Sequence, residues 1–331
     1  MTVRRTRIKL VYNDADISRD ISPDLLSFDY TDKESGEADD LSVTLKNNHG
    51  LWTGDWYPGK GDTLKATIID EGYGELYCGT FKIDDIESSG PPEKVVIKGV
   101  SVPLDESIRR KDKSKTWEDT TLSSIANEIG STGGLQVLYD ADSDPAFSRL
   151  AQNEEPDLAF LNRISSDEGF SLKVTDNKLV VFEQSKYESM SAVIKLTKGV
   201  DNIESYRFNS QAFDLYKSCT VNYYNSEEEK QLSYTYTAPN VDEGMEANVV
   251  KVADSLAEAE RWAKAELRKR NKHEVTGSLT ITGRTDIVAG MNIKVAGFGK
   301  YDGTYMVEEA GHSVGSGYRV ALKLRRVLEG Y

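Results

Sequence analysis

The chain has 331 residues, 38% hydrophobic and 29% charged, and its 41 basic against 55 acidic residues leave a net charge of −14. At roughly 150 residues per domain this is about two domains of ordinary globular composition. Such acidity argues against a protein built to grip nucleic-acid phosphates. The apolar runs fall short of the ~20 residues of a membrane span, and MTVRRTRIKLVYND turns polar before a signal-peptide core can form.

The first hundred residues alternate with period two. Ile8, Leu10 and Tyr12, then Leu26, Phe28 and Tyr30, then Leu41, Val43 and Leu45 fall on one face, with polar residues between most of them. GDTLKATIID, GELYCGTFKIDDI and KVVIKGV continue the pattern. About six strands between turn-rich segments predict a closed or nearly closed antiparallel barrel, because closure removes exposed edges.

From about Trp117 the period becomes helical: Leu122, Ile125, Ala126 and Ile129 share a face, Asp119 to Thr121 offer caps, and Gly130 follows. The brief strand GGLQVLYD comes next, followed by a polar stretch. A second helix then opens at Pro156 and Asp157, carries Leu158, Leu161 and Ile164, and stops at Gly169 before FSLKVTD. This is a duplicated helix-strand unit, and LVVFEQ (179–184) joins it as a hairpin through Asp176-Asn177.

Strands return in VIKLT, IESYRFN, YKSCTVNYY and KQLSYTYT. One strong helix follows, with Ser255 and Glu258 at capping-box spacing, Leu256, Ala259, Ala263 and Leu267 in a stripe, and Arg268 to Lys272 at its basic end. GSLTITG, GMNIKVAG, GTYMVEE and GYRVALKLRRV close the chain as four more strands. The predicted fold is mainly β (α+β). Two barrel-like domains, 1–104 and 188–331, flank a small α/β domain, 105–187, and the second barrel carries the helix 254–272.

No constellation points to catalysis, a metal or a cofactor. His49, His273 and His312 lack zinc-ligand spacing. Asp140, Asp142 and Asp144 begin like a calcium loop, but Pro145 and Ala151 stand where glycine and a bidentate carboxylate belong, so a solvated linker is expected. Gly297, Gly299 and Gly303 read as turn residues, Asp119 as a helix cap, and Asp167 and Glu168 as an exposed last helical turn. Cys78 and Cys219 sit inside strands and read as small buried side chains. The loop HGLWTGDWYPGKGD (49–62) is unusual: its aromatic residues must either plug the barrel or meet another subunit.

Taken in order, these segments resemble the late control D family, hub proteins of contractile phage tails and related injection particles. The version most resembled is that of defective prophages and tailocins of Gram-positive hosts. The resemblance is carried by SPDLLSFDYTDKESGEADDLSVTLKN and LWTGDWYPGKGD (22–62), TLSSIANEIG, DLAFLNRISSDEGFSLKVTDNKLVVF, TGSLTITG, IVAGMNIKV and DGTYMVEEAGHSV, and covers nearly the whole chain. It implies a homotrimer whose six related barrels form a pseudo-sixfold ring between the tail tube and the threefold spike. A LysM-containing protein and other baseplate components would be its neighbours.

The same resemblance implies assembly in the host cytoplasm, residence in the baseplate, no enzymatic turnover and no membrane insertion. The hub plan accounts for the length without a fused lysin, and a negative lumen would let DNA slide. Trp52, Trp56, Tyr57 and Trp262 are the expected subunit contacts. The rival readings are a tail-associated peptidoglycan hydrolase and a carbohydrate-binding β-module using Trp52 and Trp56.

Overall fold

The computed structural model describes residues 4–101, 106–211, 214–225 and 229–331, so the boundary expected at 104 lies outside the described residues. The alternating segments of the first hundred residues become β1 (Thr6–Tyr12), a short β2 (Ala15–Asp16), α1 (Ser18–Ile21), β3 (Leu25–Lys33), β4 (Asp40–Lys46), β5 (Thr63–Asp70), β6 (Gly74–Ser89) and β7 (Lys94–Val100). The six long strands pair in the order β3-β4-β7-β6-β5-β1, all antiparallel. Their apolar faces, including Phe28, Leu41, Val43, Phe81, Ile83 and Val95, turn into one core, as the alternation predicts.

The central part begins with α2 (Glu106–Arg109), β8 (Lys113–Thr121), α3 (Leu122–Thr132), β9 (Gln136–Asp140) and β10 (Ala146–Glu155). It continues with α4 (Asp157–Asp167), β11 (Phe170–Thr175), β12 (Lys178–Glu183) and α5 (Gln184–Ser189). The expected helix-strand repeats are α3 with β9 and α4 with β11. Asp176 and Asn177, both at positive φ, make the expected hairpin turn between β11 and β12. The polar stretch instead forms β10, which pairs with β8 as a two-stranded ribbon. Helices and strands here enclose a core of their own.

After β13 (Ile194–Thr197) and β14 (Ile203–Ser210), a third small core forms where α6 (Leu256–Asn271) covers β15 (Tyr216–Asn225), β16 (Lys230–Thr237) and β17 (Met245–Ala253). Ser255 caps α6 by accepting from the Glu258 amide at 3.2 Å, and Glu258 accepts from the Asp254 amide at 2.6 Å. The chain ends with β18 (Val275–Thr282), β19 (Asn292–Ala296), β20 (Gly303–Val314) and β21 (Tyr318–Arg326).

These last strands repeat the first unit. Their order, β14-β18-β21-β20-β19-β13, matches β3-β4-β7-β6-β5-β1 position for position and in chain order. The bulges match too: Leu25/Ser27 with Ile203/Ser205, and Ile83/Asp85 with Val307/Glu309. Gly61 donates to Ile83 at 2.7 Å as Gly290 donates to Val307 at 2.8 Å. The ion pair Lys98–Asp85 (3.0 Å) has its counterpart in Lys323–Glu309 (2.7 Å). One difference is that β13 meets β19 in parallel whereas β1 meets β5 antiparallel.

Neither unit closes on itself by strand pairing among the described residues. β20 instead pairs with β3, from Glu309 opposite Lys33 to Val314 opposite Phe28, so both units share one 13-stranded sheet and one core.

Buried charges fix the other parts to this sheet. Glu188 of α5 receives Arg325 of β21 at 2.5 Å, Arg268 of α6 at 2.7 Å and the Leu328 amide at 3.2 Å. Arg325 also reaches Glu308 at 3.2 Å, and that carboxylate accepts from or pairs with His273 at 2.9 Å. At the other junction Lys173 of β11 pairs with Asp32 and Asp39. Burial works against the Lys173 ammonium, but the two carboxylates more than offset it and its pKa is raised.

Removing Glu188 leaves Arg268 buried without a counter-charge and Arg325 with Glu308 alone. Glu188→Leu is therefore expected to lower the unfolding free energy by about 3–5 kcal/mol, read by urea denaturation. His312 is also buried, stacked on Tyr30 at 5.8 Å with Nδ1 2.8 Å from the Tyr318 hydroxyl, and burial pushes its pKa down to about 4. The unfolded chain takes up that proton near pH 6.5 and the folded chain only near 4. Its contribution, on the order of 3 kcal/mol, is whole above pH 6.5 and drains as the pH falls from 6.5 to 4. Denaturation midpoints across that window should fall in the native protein and flatten in His312→Asn.

Candidate assembly surfaces

Among the strand edges that lack a partner in the described residues, two correspond to the two sides of the β20–β3 pairing. One is β14, hydrogen-bonded only to β18 and mostly exposed. The other is the end of β6: residues up to Lys82 pair with β5, whereas residues 84–89 pair with β7 alone. Neither stretch contains proline or ends early, although each carries a bulge and charged side chains that restrict which strand can pair with it. Each presents free amides and carbonyls to an incoming strand.

The eight strands β14-β18-β21-β20-β3-β4-β7-β6 have opposite faces of different character. One packs on the shared core. The other shows short polar and charged side chains such as Ser27, Thr31, Ser42, Thr44, Ser278 and Thr280. The loop at one end of the first unit holds the predicted aromatic residues. Trp52 is buried, takes the Asn47 side-chain oxygen on its amide and donates Nε1 to Asp24, both at 3.0 Å. Trp56 meets it edge-on at 5.3 Å and, with Tyr57, stays exposed at the mouth of a cavity of about 430 Å³ lined by Leu10, Val43, Leu64 and Ile83. Trp52 is thus the plug, and Trp56 and Tyr57 are the accessible part.

Trp262 lies elsewhere, on α6. Its Nε1 donates to Glu168 at 2.5 Å, and Arg261 reaches the same carboxylate at 3.0 Å. Glu168 is therefore buried, contrary to the exposed last turn expected of it, because α6 packs over the end of α4. Its neighbour Asp167 pairs with Lys251 at 2.5 Å. The acidic run is also engaged: Asp140 and Asp142 hold Lys186, and Asp144 accepts from the Ser123 amide at 3.0 Å at the start of α3. Among the described residues no three His, Cys, Asp or Glu side chains converge as a metal site. Both cysteines are buried, and burial pushes the Cys219 thiol up to about 11.

The edges escaped the sequence reading, and the repeat entered it only through the family resemblance, although a signal was present in the residues. KVVIKGV (94–100) aligns with RVALKLR (319–325), SFDY (27–30) with SYRF (205–208), and FKIDD (81–85) with YMVEE (305–309). Similarity of charge and alternation, spread over segments more than 170 residues apart, is what marks the duplication.

No family model matches the chain. It is 27% identical over 172 residues to the probable baseplate hub proteins of Escherichia phages P2 and 186. The match takes in 52% of this chain and 43% of theirs, so the chain spans less than half of the curated relatives it matches. The crystal structure of the tail protein from Neisseria meningitidis MC58 superposes with a TM-score of 0.73 at 15% identity, over 98% of both chains. The chain has a phage tail-protein fold. A component of the E. coli type VI secretion system shares it with a TM-score of 0.59 at 12% identity, over 99% of this chain and 78% of that one.

Within this fold the two loop tryptophans separate into a structural and a surface residue. Trp52→Ala should cost about 3–5 kcal/mol of stability, because it empties a packed site. Trp56→Ala should change stability by less than about 1 kcal/mol, as expected for a half-exposed side chain. Thermal or urea unfolding of the two variants checks the contrast.

Proposed function

We propose that the protein is a structural baseplate hub of a contractile tail or tail-like particle, without catalytic turnover. In this reading three copies close into a ring between the tail tube and the spike, with further baseplate components around it. It is assembled in the host cytoplasm and resides in the particle. The similarity to probable hub proteins supports the role. The division into 1–104, 105–187 and 188–331 becomes two ring-forming units with an insert between them.

The observation that carries this reading is the joint between β20 and β3. Inside one chain, the β20 edge of the second unit accepts the β3 edge of the first. Because β6 is the counterpart of β20 and β14 that of β3, the free edges of successive copies can repeat the same joint. The contact is heterologous, and like unit-to-unit steps of one sixth of a turn without rise would close it into six units from three chains.

The repeat also sets the register. Gly311 lies opposite Thr31 within the chain; Glu87 is the counterpart of Gly311 and Asn209 that of Thr31. Glu87 of one copy is then opposite Asn209 of the next. Mass photometry should find a trimer. Under oxidation, Glu87→Cys/Asn209→Cys should yield covalently closed trimers on denaturing gels, with Glu87→Cys alone giving none; Cys78 and Cys219 are too buried to interfere. A protein that stays monomeric at micromolar concentration would refute the ring, and a trimer that never cross-links would refute this joint.

A further inference from the structure

Of the surfaces not yet accounted for, the bare polar face of the eight-stranded sheet carries the most specific arrangement of charge. We infer that Lys46 and Lys94 on this face form an anion-contacting pair at one mouth of the ring, and that the group they take is the phosphate backbone of a nucleic acid passing through. The inference rests on the trimeric ring proposed above.

Three chains would bring together twenty-four strands, about 4.8 Å apart, giving a backbone diameter of roughly 37 Å before tilt widens it. The second layer, β1 with β5 and β13 with β19, lies across the shared core from these eight strands. Turned inward at the usual ~10 Å sheet spacing, that layer would leave roughly 17 Å between opposing backbones, which side chains fill. A ring with a passage therefore has the bare face inside.

Charge on that face is almost balanced, although the chain as a whole stands at −14. Lys33 pairs with Asp40, Lys98 with Asp85 and Glu87, Arg319 with Glu204, and Lys323 with Glu309. Asp29 is held by the hydroxyls of Ser27 and Ser313. Arg207 sits in β14 at the proposed joint, within diagonal reach of Glu87 of the adjoining copy.

Lys46 and Lys94 are the exception. They are directly opposite each other in the β4–β7 ladder, both are exposed, and neither has an ion-pair partner among the described residues. Like charges facing each other across a ladder are destabilising, so an anion between them is favoured. Their counterparts in the second unit are Thr282 and Arg319, where only one cation is present and Glu204 neutralises it at 2.6 Å. Leu26 occupies the position equivalent to Glu204 in the first unit, so no acid compensates there. Three copies place six such lysines at one level, facing a passage where low-dielectric walls strengthen their field. Phosphates running past would be neutralised there and held loosely, in a salt-dependent way.

The test adds linear DNA, covalently closed circular DNA of the same sequence, or polyglutamate to the assembled trimer. Its oligomeric state is followed by mass photometry in the same samples. Linear DNA should be retained at low salt and released near about 0.15 M, while closed circles, which cannot thread a ring, should not be retained. Lys46→Gln/Lys94→Gln should weaken retention at least about tenfold and flatten its salt dependence, by about 0.9 in the log–log slope for each phosphate no longer neutralised. Lys269→Gln/Lys300→Gln, which removes the same charge elsewhere, should leave retention unchanged. Equal retention of circles, a double variant no different from this control, or an intact trimer that retains no linear DNA would overturn the inference. Polyglutamate bound as well as DNA at equal charge would overturn it in favour of an acidic protein partner. Absence of the trimer would instead bring down the ring reading, and this inference with it.

Discussion

The antiparallel ladder between β20 and β3 is the contact on which the rest of the architecture depends. It turns two six-stranded units, separated in the chain by the insert, into one sheet with one core. Without it each unit would expose a long strand edge, an open template for association. With it, one edge of each unit is satisfied within the chain, and the counterparts of those two edges, β14 and the end of β6, are left complementary to each other. A molecule built this way carries one internal copy of the contact proposed to join its neighbours.

The parts attached to the sheet are oriented by buried charge as well as by apolar packing. Glu188 brings together α5, α6 and β21 around one carboxylate, and Lys173 binds β11 to two acidic side chains of the first unit. Apolar packing tolerates sliding; a buried ion pair must meet its partner in a defined geometry or leave an uncompensated charge. Such anchors suit a part proposed to sit between a tube and a spike. They also show how an acidic chain can hold several of its carboxylates inside.

Chemistry on the exposed surfaces differs by region. The aromatic loop divides between a structural Trp52 and an accessible Trp56 and Tyr57 at the mouth of an apolar cavity. It lies at the same end of the first unit as Lys46, whose strand runs into the Asn47 that positions Trp52. Trp262, although of the same residue type, serves the packing of α6 on α4. Residue type alone therefore did not distinguish an accessible residue from an internal anchor. Burial and the partner of the indole nitrogen do.

Period-two alternation and capping patterns by themselves determined most of the elements: the strands of both units, α3, α4, α6 and the Asp176-Asn177 hairpin. These signals are local, set by side-chain direction along a strand or by amides at a helix end, so they survive in the linear chain. Three things were decided only by the tertiary structure. These are which strand β3 meets on its outer edge, the burial of Glu168 beneath α6, and the absence, among the described residues, of a carboxylate paired with Lys46 or Lys94. Each depends on residues far apart in sequence arriving at one place, and alternation, which is the same for a strand in any sheet, carries no record of the neighbour across the ladder.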